Sequence, residues 1–197
     1  MNKTQKMSTQ NLVIGAVLTA LVIILQYMGS FIKLGPFSIS LVLIPIVIGA
    51  ATCGKWIGAW LGFVFGFIVI LSGDAAAFMA VHVPGTILTV LIKGTLCGLI
   101  AGFAYNGALK LFKGNEYIST AIAAVVCPVV NTGIFLLGCL LFFMDTVTAW
   151  ATAAGLGENV AQYMIAGLVG TNFLVELAVN IIFAPIIVRI IKAAKKS

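Results

Sequence analysis

Thr171-Asn172-Phe173-Leu174-Val175-Glu176-Leu177-Ala178-Val179-Asn180 is the stretch on which the reading of this chain turns. It lies inside a long apolar run near the C-terminus. A helix through it puts Asn172, Glu176 and Asn180 at i, i+4 and i+8, on one face. If the run crosses a bilayer, Glu176 sits near mid-membrane, where an ionised carboxylate costs roughly 2.5–3.5 kcal/mol. Such a residue needs a partner, a water-filled cavity or a bound ligand, and the rest of the chain has to supply one.

Composition places the run in a membrane. Of the 197 residues, 62% are hydrophobic and 8% charged, and mean hydropathy is +1.20. A soluble domain is usually about 45–50% apolar and about 25% charged. Long apolar runs, rather than alternating ten-residue segments, favour an all-α integral membrane bundle over a β-barrel. The net charge of +6 does not signal nucleic-acid binding, because the basic residues fall in short clusters between apolar runs. Cys53, Cys97, Cys127 and Cys139 stand singly, with no CxxC pair and no histidine nearby. They read as small apolar fillers, and neither a metal nor another cofactor is expected. Lys3 and Lys6 precede an apolar run of about 21 residues, longer than the about 7–15 of a signal-peptide core. That run is read as the first membrane helix.

Six transmembrane helices can be drawn, at residues 12–32, 39–51, 56–71, 86–105, 118–144 and 163–191, forming one domain. The second is short and holds Pro45, as spans beside a substrate path often are. The third carries Gly58, Gly62 and Gly66, and the fourth Gly94, Gly98 and Gly102. These small-xxx-small ladders let helices approach closely in lipid. Residues 145–162, with Trp150, suit an external loop holding a short interfacial helix. Placing both termini in the cytoplasm puts nine of the eleven basic residues inside, with Lys33 outside and Lys93 within the fourth span.

Helix rise then sets depth. Lys93 and Asn172 lie roughly 13 Å, and Asn131 and Glu176 roughly 20 Å, from the outer ends of their spans. These four residues occupy the outer half to the middle of the membrane, and a Lys93–Glu176 pair is possible if the fourth and sixth spans adjoin. Ionisable intramembrane residues mark functional paths, so the expectation is a ligand pocket. The alternative is that these polar groups only hold helix register through interhelical hydrogen bonds. His82, Thr86, Thr89 and Lys93 form a stripe descending from the outer surface. Pro84-Gly85 argues that His82, with Asp74, belongs instead to an external loop able to close over a ligand. No Gly-x-Ser-x-Gly, His-Glu-x-x-His or P-loop occurs, so the chain is not expected to be an enzyme or to hydrolyse ATP itself.

Ala16-Val17-Leu18-Thr19-Ala20 is an AxxxA pattern near the cytoplasmic end of the first span. With six helices in a chain of this length, it resembles the substrate-binding S components of energy-coupling factor (ECF) vitamin transporters. The segments at residues 37–50 and 54–62 look like the second helix of that family and the glycine-rich start of its third. The resemblance implies that Ala16 and Ala20 dock on a transmembrane coupling subunit, itself joined to two ATPase subunits. It implies a vitamin pocket open to the outside, walled by helices four to six and covered by loops one and three, in a multi-pass cell-membrane protein. Lys93 suits a ligand carboxylate, and Asn131 and Asn172 suit hydroxyls or amides. An acidic, hydroxylated vitamin such as pantothenate fits best, with riboflavin next. The competing reading is a small homo-oligomeric channel or gradient-driven carrier, with Lys93, Glu176 and Asn180 along a polar path.

Overall fold

A computed structural model describes residues 9–31, 33–34, 37–38, 41–156 and 159–196. Apolar sequence with few breakers produces long helices: α1 (Thr9–Gly29), α5 (Val83–Leu111), α6 (Glu116–Phe142) and α9 (Thr171–Lys196). Four stretches are long and apolar enough to cross a membrane: Thr9–Gly29, Val83–Leu111, Glu116–Phe142 and Asn172–Ala193. α2 (Leu43–Thr52) and α3 (Lys55–Leu71) are apolar but shorter. Between the long helices lie α4 (Ala76–Met79), α7 (Met144–Ala153) and α8 (Val160–Gln162). The departure from an all-α chain is a two-residue antiparallel ladder, with Lys33 opposite Ser38 and Leu34 opposite Phe37.

The sixth span, expected as one helix from residue 163, has two parts. Tyr163–Gly170 is π-helical and runs directly into α9. Buried positions continue across the junction at a four-residue spacing: Met164, Leu168, Asn172, Glu176, Asn180 and Ala184. The Asn172–Glu176–Asn180 face is therefore turned into protein rather than outward. The stretch at residues 145–162, expected as a loop holding a short helix, contains most of α7 and all of α8.

α3 and α5 share the most extensive helix contact of the bundle. Their glycine ladders interleave in antiparallel order, Gly58 against Gly98 and Gly62 against Gly94, while Gly66 meets Val90. At the Gly62–Gly94 crossing a methyl group on either residue would overlap the other's carbonyl oxygen. Only glycine permits this approach, which sets the spacing of the two helices. α1 lies against α3, where Trp60 Nε1 donates to Thr19 Oγ1 at 3.2 Å.

Two hydrophobic clusters result. The larger joins α1, α2, α3, α5, α6 and α9 around Phe65, Leu61, Tyr105 and Ile187. The smaller gathers Phe78, Cys139, Phe143, Val147, Met164 and Leu168 from α4, the end of α6, α7 and the π-helical stretch. A cavity lies beneath this second cluster.

Candidate functional site

His82 starts the site by starting α5. Its Nδ1 accepts the Gly85 N–H at 3.0 Å, an N-cap that satisfies one of the orphan donors of the first turn. Pro84, whose missing N–H costs nothing there, follows. From this start Thr86, Thr89 and Lys93 run down one face of α5 into a cavity. α6 reaches the same space through Asn131, Thr132 and Phe135, and α9 through Asn172, Phe173 and Glu176. α3 adds Phe65 and Val69, and the α3–α5 connection adds Asp74, Ala75 and Phe78. About 760 Å³ of space lies among these residues, counting the open space at the mouth of the cavity.

Six of the seven candidate ligand residues from the sequence thus line one cavity: Asp74, Thr89, Lys93, Asn131, Asn172 and Glu176. His82 does not line it. Its ring stacks on Phe142, 5.7 Å between centroids, while its Nδ1 is engaged at the helix start. Asn180 lies below and donates to the Glu176 carbonyl at 2.8 Å within α9.

Lys93 supplies the positive charge among the described lining residues. Its ammonium lies 5.6 Å from the Phe65 ring centroid and 5.5 Å from that of Phe135, within cation–π range. Glu176 and Asp74 line the same cavity. The fourth and sixth spans therefore do bring Lys93 and Glu176 into one enclosure.

The oxygens around this charge are the most informative feature. Thr89 Oγ1, Asn131 Oδ1 and Asn172 Oδ1 are buried with no hydrogen-bond partner among the described residues. A buried polar atom left unsatisfied costs about 1–3 kcal/mol. Native interiors rarely keep several of them in one place, so such a group calls for a water, an ion or a ligand to satisfy it. By contrast Thr86 Oγ1 is used within its own helix, donating to the His82 carbonyl at 2.9 Å. The arrangement suits a ligand with one anionic group and several donors or acceptors.

Sequence reasoning missed the aromatic wall and one polar support. Phe78 makes edge-to-face contacts with Phe135, Phe143 and Trp150 at centroid distances of 5.5, 4.9 and 5.5 Å. With Phe65, these rings give the cavity an apolar side, and Phe135 one turn on from Asn131 was a usable signal for it. Gln26 of α1 is buried, and its Nε2 donates to Asp74 Oδ2 at 3.3 Å. A lone glutamine in an otherwise apolar span was the signal there. The four cysteines carry free thiols, and no cluster able to hold a metal ion occurs among the described residues. Ala16 and Ala20 are exposed on α1, away from the cavity.

No solved structure matches the chain. It is 24% identical to the pantothenic acid transporter PanT of Lactococcus lactis subsp. cremoris over 210 residues, covering 98% of this chain and 99% of the relative. Residues 10–188 match the family described as ECF transporter, substrate-specific component. A multi-pass helical protein with a polar-lined cavity and a family match over most of its length belongs to the substrate-specific components of ECF transporters, which are binding subunits of a transport system and not enzymes.

Proposed function

We propose that this chain captures pantothenate from outside the cell and delivers it to an ATP-driven ECF complex in the cell membrane. In this reading six spans cross the membrane with both termini in the cytoplasm. α2 and α3, apolar but shorter than the other spans, count among the six. The observation that carries the proposal is a single lysine among unpartnered amide and hydroxyl oxygens lining one cavity.

The chemistry pairs group by group. Lys93 takes the carboxylate of the ligand in a charge-assisted contact. Asn131, Asn172 and Thr89 exchange hydrogen bonds with its amide and hydroxyls, and Glu176 accepts from a hydroxyl at the floor. The rings of Phe65, Phe78 and Phe135 cover its methyl-bearing carbon. Riboflavin, which lacks a carboxylate, would leave Lys93 without an anionic partner. The 24% identity to a pantothenic acid transporter supports the same choice. Ala16 and Ala20 are the small-residue face for the coupling subunit, which joins two ATPases. The chain topples in the membrane to release its ligand inward.

A stabilisation panel of vitamins tests this. A ligand present at 100 times its Kd raises stability by about 2.7 kcal/mol, and pantothenate is expected to do so. Lys93→Ala should weaken pantothenate by about 10–100-fold, the range of a hydrogen bond to a charged group. It should weaken the alcohol analogue pantothenol far less. Equal losses for both ligands would remove the carboxylate assignment. Uptake by the purified protein alone in liposomes would favour a gradient-driven carrier instead.

A further inference from the structure

Gln26 serves the cavity without lining it. It is 1% exposed and lies one turn from the outer end of α1. No α1 residue lines the cavity, yet Gln26 Nε2 reaches across to Asp74 Oδ2, which does belong to a lining residue. The polarity of that bond is dictated, since an ionised carboxylate only accepts and a glutamine amide donates only through nitrogen. Asp74 and Glu176 line the same cavity as Lys93. A ligand carboxylate therefore enters a site that already holds two protein carboxylates and one cation.

The two protein carboxylates are not held alike. Glu176 is carried by the second turn of α9, a regular helix, and its position follows from the backbone. Asp74 sits in the turn between α3 and α4, where local backbone structure fixes the side chain less. A carboxylate tethered beside a cation competes with an incoming one at an effective concentration of about millimolar or more. Something must hold Asp74 aside if an external anion is to bind well below that concentration.

We propose that Gln26 is a positioning residue: its amide holds the Asp74 carboxylate against α1 and so leaves the Lys93 ammonium to the carboxylate of an acidic ligand. This rests on the acidic-ligand reading above. It assigns Asp74 an indirect part in recognition and makes α1 a participant in selectivity for anions.

The test uses the full chain in lipid nanodiscs, with pantothenate and pantothenol titrated calorimetrically. Gln26→Met keeps side-chain length while removing the amide, and Gln26→Leu serves as a second variant if Met perturbs folding. Gln26→Met should weaken pantothenate by about tenfold, the order of one hydrogen bond to a charged group, and pantothenol by less than about twofold. In an Asp74→Asn background, the same substitution should change pantothenate binding by less than about twofold, because the competitor is gone. Equal weakening of both ligands, or a loss that persists in the Asp74→Asn background, would show that Gln26 only packs and would overturn the proposal. A wild-type chain that ignores pantothenate would instead refute the acidic-ligand reading. Wild-type binding that depends on Lys93 but is indifferent to Gln26→Met would refute the positioning role alone.

Discussion

Replacing Gly62 with alanine sets two opposed effects against each other. Within an isolated helix the change gains about 0.8–1 kcal/mol, because alanine loses less backbone entropy than glycine. In this bundle the new methyl would overlap the Gly94 carbonyl oxygen, with the Gly94 carbonyl carbon close behind it. The obstacle is backbone, so no rotamer change relieves it, and α3 and α5 must move apart. Overpacking costs about 1–3 kcal/mol even where side chains can adjust. Separation also loosens the most extensive helix contact in the molecule. The steric effect should win by about 1–2 kcal/mol, a fall of roughly 2–8 °C in Tm for a chain of this size. Phe65 and Lys93 sit beside this crossing and lie 5.6 Å apart, so the same movement should weaken ligand binding. Gly107→Ala is the control, since a methyl there meets nothing within 4 Å and the residue lies in the same α5. It should melt at or slightly above wild type. Thermal unfolding in detergent, with and without ligand, measures both. Gly62→Ala melting at or above wild type, or Gly107→Ala falling equally, would refute the reasoning.

Phe78→Ala removes a ring that joins Phe135, Phe143 and Trp150 over the cavity. It should destabilise the outer cluster by about 3–5 kcal/mol and shift Trp150 emission to the red. That shift is read after Trp56 and Trp60 are replaced by Phe; unchanged emission would argue against a shared roof. Asn131→Leu removes an unpartnered buried oxygen, so the ligand-free protein should be as stable as wild type or more so, while ligand affinity drops about tenfold. A loss of stability without ligand would mean that Asn131 is a packing contact. Ala20→Leu places a bulky group on the exposed face of α1, where it should leave ligand binding unchanged and abolish recovery of the coupling subunit by affinity pull-down.

Much of the site was legible because lipid makes polar residues conspicuous. In a chain that is 62% hydrophobic, Lys93, Asn131, Asn172 and Glu176 stand out, and helix rise places all four inside their spans, about two turns apart in depth at most, without any knowledge of packing. The glycine ladders were legible for the same reason, as stripes with a period. Their pairing was not, because a ladder says that a helix approaches something closely without saying which helix. The aromatic wall was hidden because a phenylalanine in a membrane span faces lipid as readily as a ligand. Phe65 is buried while Phe63 and Phe67 of the same helix are exposed, and residue type alone does not separate them.

The division has a physical basis. Composition, helix periodicity and depth are properties of one segment against the bilayer, and they point to a helical membrane chain with charged groups inside its apolar spans. Who meets whom is a property of pairs of helices. The tertiary structure decided that Lys93, Glu176 and Asp74 share one enclosure, and that His82 caps a helix instead of facing the cavity. It also decided that the opening stretch is preceded by a π-helical turn, which carries the buried face of Asn172 and Glu176 on into Leu168 and Met164. Segments hold the chemistry of this protein, and the crossing of its helices gathers that chemistry into a site.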